Sequence, residues 1–139
     1  YMAPEQARGD HGVGPAIDVY GLGAVLYECL TGRPPFAGPT TLETLRQVAD
    51  DDPVPVRRLQ PAVPPALEAV CLKCLEKDPA RRYGSARELA ADLARFLAGG
   101  PVRATVPGPA RRAWRWAKKR PAVPLLAITL ALMTLAVAG

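Results

Sequence analysis

Apolar residues recur at helical spacing in four stretches of the chain. In the first, Ile17 to Thr31 (IDVYGLGAVLYECLT), Ile17, Leu22, Val25, Leu26 and Leu30 mark the repeat. This segment is apolar on most faces, which predicts a buried central helix. Gly21 and Gly23 each lower helix propensity by about 1 kcal/mol against alanine. Their presence predicts a close backbone approach. Gly32 and then Pro34-Pro35 stop the helix. A second helix begins near Thr40, which has capping-box spacing to Glu43 and precedes Leu42, Leu45 and Val48. Asp50-Asp51-Asp52-Pro53 ends it, and a proline-rich connection follows from Val54 to Val63. A third helix opens at Pro64-Pro65, carries Leu67, Val70, Cys71, Cys74 and Leu75 as its stripe, and ends at Asp78-Pro79. The fourth opens with Ser85 and Glu88, runs through Leu89, Leu93, Phe96 and Leu97, and closes at Gly99-Gly100. No segment alternates convincingly as a strand, and no internal repeat is visible. The body, residues 1–100, reads as mainly α.

Beyond Gly100 the pattern changes. Residues 101–110 (PVRATVPGPA) read as a linker. Residues 111–120 (RRAWRWAKKR) are basic and hold two tryptophans. Ala122 to Gly139 is an uncharged run of 18 residues, interrupted by Pro124, Thr129 and Thr134, in which eight residues are Leu, Ile or Val. Those eight supply roughly −2 to −5 kcal/mol of insertion free energy. The length meets the lower limit for a spanning helix, so residues 121–139 are expected to form a transmembrane helix. Its place after a folded body excludes a signal peptide.

Composition adds limits. The chain has 139 residues, of which 49% are hydrophobic and 22% charged, values that exclude wholesale disorder. Sixteen prolines favour short elements, and three cysteines do not make a disulfide scaffold. The net charge of +5 hides a split. Residues 1–102 carry 11 Lys/Arg against 13 Asp/Glu, whereas residues 103–120 carry seven basic residues and no acid. The positive charge therefore belongs to the tail. The chain starts at a tyrosine and is still apolar at its end, which reads as a fragment.

Four motifs then point the same way. Ala3-Pro4-Glu5, within YMAPEQARG, resembles the close of the activation segment of eukaryotic-type protein kinases. Asp18-Val19-Tyr20-Gly21-Leu22-Gly23 resembles the start of the central helix of the kinase large lobe, and Leu30-Thr31-Gly32-Arg33-Pro34-Pro35-Phe36 the loop after it. Asp78-Pro79-Ala80-Arg81-Arg82-Tyr83 resembles the segment that holds a buried arginine. The four occur in family order over residues 1 to about 98. The form Tyr1-Met2-Ala3-Pro4-Glu5-Gln6 is more similar to bacterial serine/threonine kinases than to tyrosine kinases. The basic segment and the apolar run also resemble the juxtamembrane and membrane parts of bacterial receptor-type kinases.

The resemblance implies the helical C-terminal portion of a kinase large lobe, followed by a transmembrane helix. It implies that Glu5 pairs with Arg82, where the residues alone also allow a solvated acid before a turn. It implies that Asp18 supports the catalytic loop, a role compatible with a carboxylate at the positive end of a helix. Tyr1 and Met2 would shape the peptide-docking surface, and the helix from Thr41 to Val48 would offer a partner-docking face. In the intact kinase the reaction would be transfer of the ATP γ-phosphoryl group to Ser or Thr of protein substrates, with Mg²⁺. The phosphate cover, the phosphate-binding lysine and the catalytic and metal-binding carboxylates precede Ala3-Pro4-Glu5 in the family. No catalytic, cofactor-binding or metal residue is therefore assigned here, and the fragment alone is expected to be inactive. The alternative is a pseudokinase acting as a membrane-tethered interaction module. A chance match in an unrelated helical membrane protein is the other rival, and a dimer is left open for the intact receptor.

The remaining chemistry-bearing residues have plainer readings. Cys71-Leu72-Lys73-Cys74 has the spacing of a zinc or redox pair, but no second pair exists and the two sulfurs lie on a helical stripe, where core residues belong. His11 reads as a loop residue and Asp50-Asp51-Asp52 as helix-ending acids rather than a cation site. Gly21-Leu22-Gly23 lies inside a helix pattern without a preceding strand, so it is no phosphate loop. The basic run with Trp114 and Trp116 could stack on nucleic acid. Its position beside an uncharged run favours membrane lipid instead, with Trp114, Trp116, Lys118, Lys119 and Arg120 at the interface. The expected protein is single-pass in the inner or plasma membrane, with residues 1–100 cytoplasmic and no nucleic-acid partner.

Overall fold

The computed structural model describes residues 1–10, 14–106 and 108. Six α-helices occur among them: α1 (Pro4–Ala7), α2 (Pro15–Thr31), α3 (Thr41–Asp50), α4 (Val56–Leu59), α5 (Pro65–Cys74) and α6 (Ala86–Leu97). One 3-10 turn, Pro79–Arg81, lies between α5 and α6.

α2 is the axis of the compact unit that spans Tyr1–Val106. Pro15 presets its first turn, and Gly32, at φ 75°, closes it by donating its N–H to the Glu28 carbonyl at 2.8 Å. Two apolar clusters flank it. In one, Tyr20, Ala24 and Tyr27 of α2 pack with Val56, Cys71 and Leu75. In the other, Val19 packs with Val70, Cys74, Tyr83 and Leu89. The expected close approach is real at Gly23, where an added Cβ would lie 2.3 Å from the Cys74 Cβ. Gly21 has ordinary space, since a Cβ there would meet the Tyr1 carbonyl at 3.8 Å.

Both expected N-caps form. Thr40 Oγ1 accepts from the Glu43 N–H at 3.1 Å, and Ser85 Oγ from the Glu88 N–H at 3.2 Å. The reciprocal bonds differ from a capping box. Glu88 accepts from the Gly84 N–H at 2.9 Å, one residue early, and Glu43 turns to Arg46.

Several expectations need correction. α2 is buried on one side only: Leu22 and Val25 are 47% and 46% exposed, and with Asp18 and Cys29 they form one uncovered face. Leu42 and Leu97, placed on apolar stripes, are exposed as well. α5 ends at Cys74 rather than near Asp78, because the following carbonyls bond Arg82 instead of continuing the helix. The proline-rich connection holds α4, whose Arg57 N–H is accepted by Glu68 of α5 at 2.6 Å. Short α1 was also not anticipated. The body expected to stop at residue 100 runs to Val106, because Val102, Ala104 and Val106 pack on the second cluster.

Among the described residues no helix is long and apolar enough to cross a membrane. The expected span at 121–139, the interface residues Trp114, Trp116, Lys118, Lys119 and Arg120, and His11 lie outside the described residues.

Candidate functional site

The site is built where the first residues of the chain meet α2 and the turn after α5. α1 starts at Pro4, and the Ala3 N–H before it donates to Gln6 Oε1 at 3.0 Å. This single turn aims Glu5 at Arg82. The pair is bidentate: Arg82 Nη1 donates to Glu5 Oε1 at 2.7 Å, and Nη2 to Oε2 at 2.8 Å.

Arg82 has further work. Its Nη1 also donates to the Ala16 carbonyl at 2.8 Å, Nη2 to the Lys77 carbonyl at 3.3 Å, and Nε to the Glu76 carbonyl at 2.8 Å. All five N–H groups of the guanidinium are thereby satisfied, which offsets the cost of removing it from water. The guanidinium lies 4.9 Å from the centre of the Tyr20 ring. Its side chain is fully buried, while that of Glu5 is 14% exposed. The bonds from Arg82 hold the Glu5 carboxyl below the usual carboxylate range, against an opposing push from burial. One arginine thus joins α1, the start of α2 and the turn after α5.

Tyr1 and Met2 are exposed beside α2, and the Tyr1 hydroxyl donates to the Glu28 carboxylate. Asp18 stands exposed in the first turn of α2, in line with Leu22, Val25 and Cys29. The structure therefore brings Glu5 and Arg82 together, and sets Tyr1, Met2 and Asp18 on the open side of the lobe. On α3, Arg8 donates to the Ala49 carbonyl at 2.9 Å and Lys77 to the Val48 carbonyl at 2.6 Å. Two cations from other segments thus cap its last turn.

Cys71 and Cys74 are buried core residues, one in each cluster. Burial pushes both thiols up, that of Cys74 to about 12. Among the described residues no group of three His, Cys, Asp or Glu could hold a metal ion.

Asp92 was not apparent as a key residue. It is fully buried, and Tyr83, Arg95 and the N–H groups of Arg103 and Ala104 surround it. The signal was its register, because an acid at 92 falls on the face defined by Leu89, Leu93 and Phe96.

The family model for the protein kinase domain matches residues 1–93. Serine/threonine-protein kinase PknB of Mycolicibacterium smegmatis is 50% identical over 99 residues, which cover 71% of this chain and 16% of that protein. PknB of Mycobacterium tuberculosis is 46% identical over 104 residues, 75% of this chain and 16% of the relative. The chain therefore spans about a sixth of the length of these relatives. Among solved structures, the twitchin kinase region of C. elegans superposes with a TM-score of 0.57 at 25% identity, over 88% of this chain and 21% of that one. With the paired Glu5 and Arg82 in place and two thirds of its length matched, the chain belongs to the protein kinase domain family.

Proposed function

We propose that this chain is the C-terminal part of the large lobe of a membrane-anchored serine/threonine kinase, which transfers the ATP γ-phosphoryl group to Ser or Thr of protein substrates. The bidentate Glu5–Arg82 pair carries the reading, because it ties the segment that begins with Tyr1 and Met2 to the distal helices. The uncovered face of α2 supports it. Asp18, Leu22, Val25 and Cys29 present an acid and an apolar strip where the family's catalytic loop would rest.

ATP and Mg²⁺ do not fit the described residues. No metal-holding cluster exists among them, and Gly21 and Gly23 lie within α2 rather than in a loop open to phosphates. No chemical step is assigned to this chain. Its share is to position: Arg82 holds Glu5, Glu5 holds the docking segment, and Asp18 is available to the catalytic loop.

The tail supports the anchor. A basic segment with two tryptophans followed by 18 uncharged residues matches the pattern of a cytoplasmic flank and a span. The kinase part then lies in the cytoplasm, at the inner or plasma membrane.

The test uses the full-length protein with radiolabelled ATP, Mg²⁺ and a generic protein acceptor, followed by phosphoamino-acid analysis and alkaline extraction of membranes. Label on Ser or Thr, in protein retained by the membrane, is expected. Folded protein that transfers no label would overturn the kinase reading in favour of an interaction module. Complete release from the membrane would overturn the anchor.

A further inference from the structure

The buried carboxylate of Asp92 accepts four hydrogen bonds. Oδ1 accepts from the Arg103 N–H at 2.7 Å and from Arg95 Nη1 at 2.9 Å. Oδ2 accepts from the Tyr83 hydroxyl at 2.6 Å and from the Ala104 N–H at 3.0 Å. Two of the four donors are consecutive main-chain groups of the segment after α6. In that segment Val102, Ala104 and Val106 turn toward the second cluster, while Pro101, Arg103 and Thr105 are exposed. The join to α6 is Gly99, at φ 73°, and Gly100. The kinase-domain match stops at residue 93, yet the compact unit continues to Val106.

The grip on this segment is concentrated in one side chain. Its own apolar contribution is two valines, both only partly buried, and one alanine. Bonds to a charged acceptor are the stronger kind. Here two of the four hold backbone, so the carboxylate fixes the segment's path.

We propose that Asp92 and residues 101–106 form a releasable latch that sets where the chain leaves the lobe. When the latch holds, four residues (107–110) separate the lobe from Arg111; when it opens at the glycine join, twelve (99–110) do. At roughly 3.3–3.6 Å per residue, the eight residues freed (99–106) add up to about 28 Å of reach. The latch stands on geometry alone. Its consequence for a lipid tether rests on the membrane reading above.

The test is made in the full-length protein, by amide hydrogen exchange and by limited trypsin cleavage at the Arg103–Ala104 bond. Asp92→Asn keeps the shape but leaves one acceptor oxygen and turns an NH₂ group toward donors. Exchange at Arg103 and Ala104 and cleavage between them are expected to rise at least about tenfold, and by clearly more than exchange at the amides of α5. Tyr83→Phe removes one donor that orients the carboxylate and should raise the same rates about threefold. It reads the latch on its own should Asp92→Asn not accumulate. Unchanged protection of the two amides would overturn the proposal. So would a loss shared equally by α5, since the segment would then open only with the whole lobe. Alkaline extraction separates the two readings: a soluble protein with a working latch overturns the tether consequence and leaves the latch standing.

Discussion

Arg82 meets Glu5 end-on, two N–H groups to two oxygens, across seventy-seven residues of sequence. The cation is wholly buried, so removing its partner strands a charge. Glu5→Gln should cost about 3–5 kcal/mol of stability, and Arg82→Met a similar amount, because five acceptor oxygens on four residues lose its N–H groups. Denaturant unfolding of each variant checks this. A loss below about 1 kcal/mol for both would remove the pair from its structural role.

Gly23 sets two effects against each other. Alanine there gains about 1 kcal/mol of helix propensity. It also places a Cβ 2.3 Å from the Cys74 Cβ, and overpacking of a tight core costs about 1–3 kcal/mol. Net destabilisation is the expected result for Gly23→Ala. Combining it with Cys74→Gly should recover part of the loss, as a double-mutant cycle will show. Strict additivity would mean that the added Cβ does not meet the Cys74 side chain.

Stability should fall in acid through two named carboxyls. Burial pushes Asp92 up, but the Arg103 N–H, the Tyr83 hydroxyl, the Ala104 N–H and Arg95 outweigh it and hold the group at about 2. Glu5 is lowered by Arg82. Both are depressed on folding, so the unfolded chain binds protons first as pH drops. Their contribution is full above about pH 4.5, the unfolded range, and is lost as pH falls toward 2. Unfolding free energy measured from pH 6 to pH 2 should decline over that window. The slope should be shallower in Asp92→Asn, and an unchanged slope would exclude Asp92 as a contributor.

The three cysteines should separate by reactivity. Cys71 and Cys74 are buried and their thiols are pushed up, so little thiolate forms near neutral pH. Cys29 is exposed on α2. A chromogenic disulfide reagent should titrate one thiol quickly in the folded chain and the other two only on denaturation. Rapid reaction of all three would contradict the burial of α5.

Much of this was legible in the sequence. Thr40 and Ser85 announced their helices through local capping chemistry, and Gly32 closed α2 through backbone preference alone, whereas the start at Pro15, two residues before Ile17, was not read. Glu5 and Arg82 could be paired only by resemblance, since nothing local links residues so far apart. α4 was hidden because its N–H group is satisfied by Glu68, eleven residues later. Leu22 and Val25 misled because periodicity reports an apolar face but not whether anything covers it. The packing of 101–106 escaped because proline and glycine read as linker, while a carboxylate from α6 decides the path.

The open side of α2 bears on how the polypeptide can be handled. A helix that shields one flank and leaves a leucine and a valine wet on the other has an unfinished interior. Expressed as a separate piece, it should cling to itself or to a chaperone. Solubility on co-expression with the rest of its parent polypeptide would show that the helix belongs to two halves of one fold.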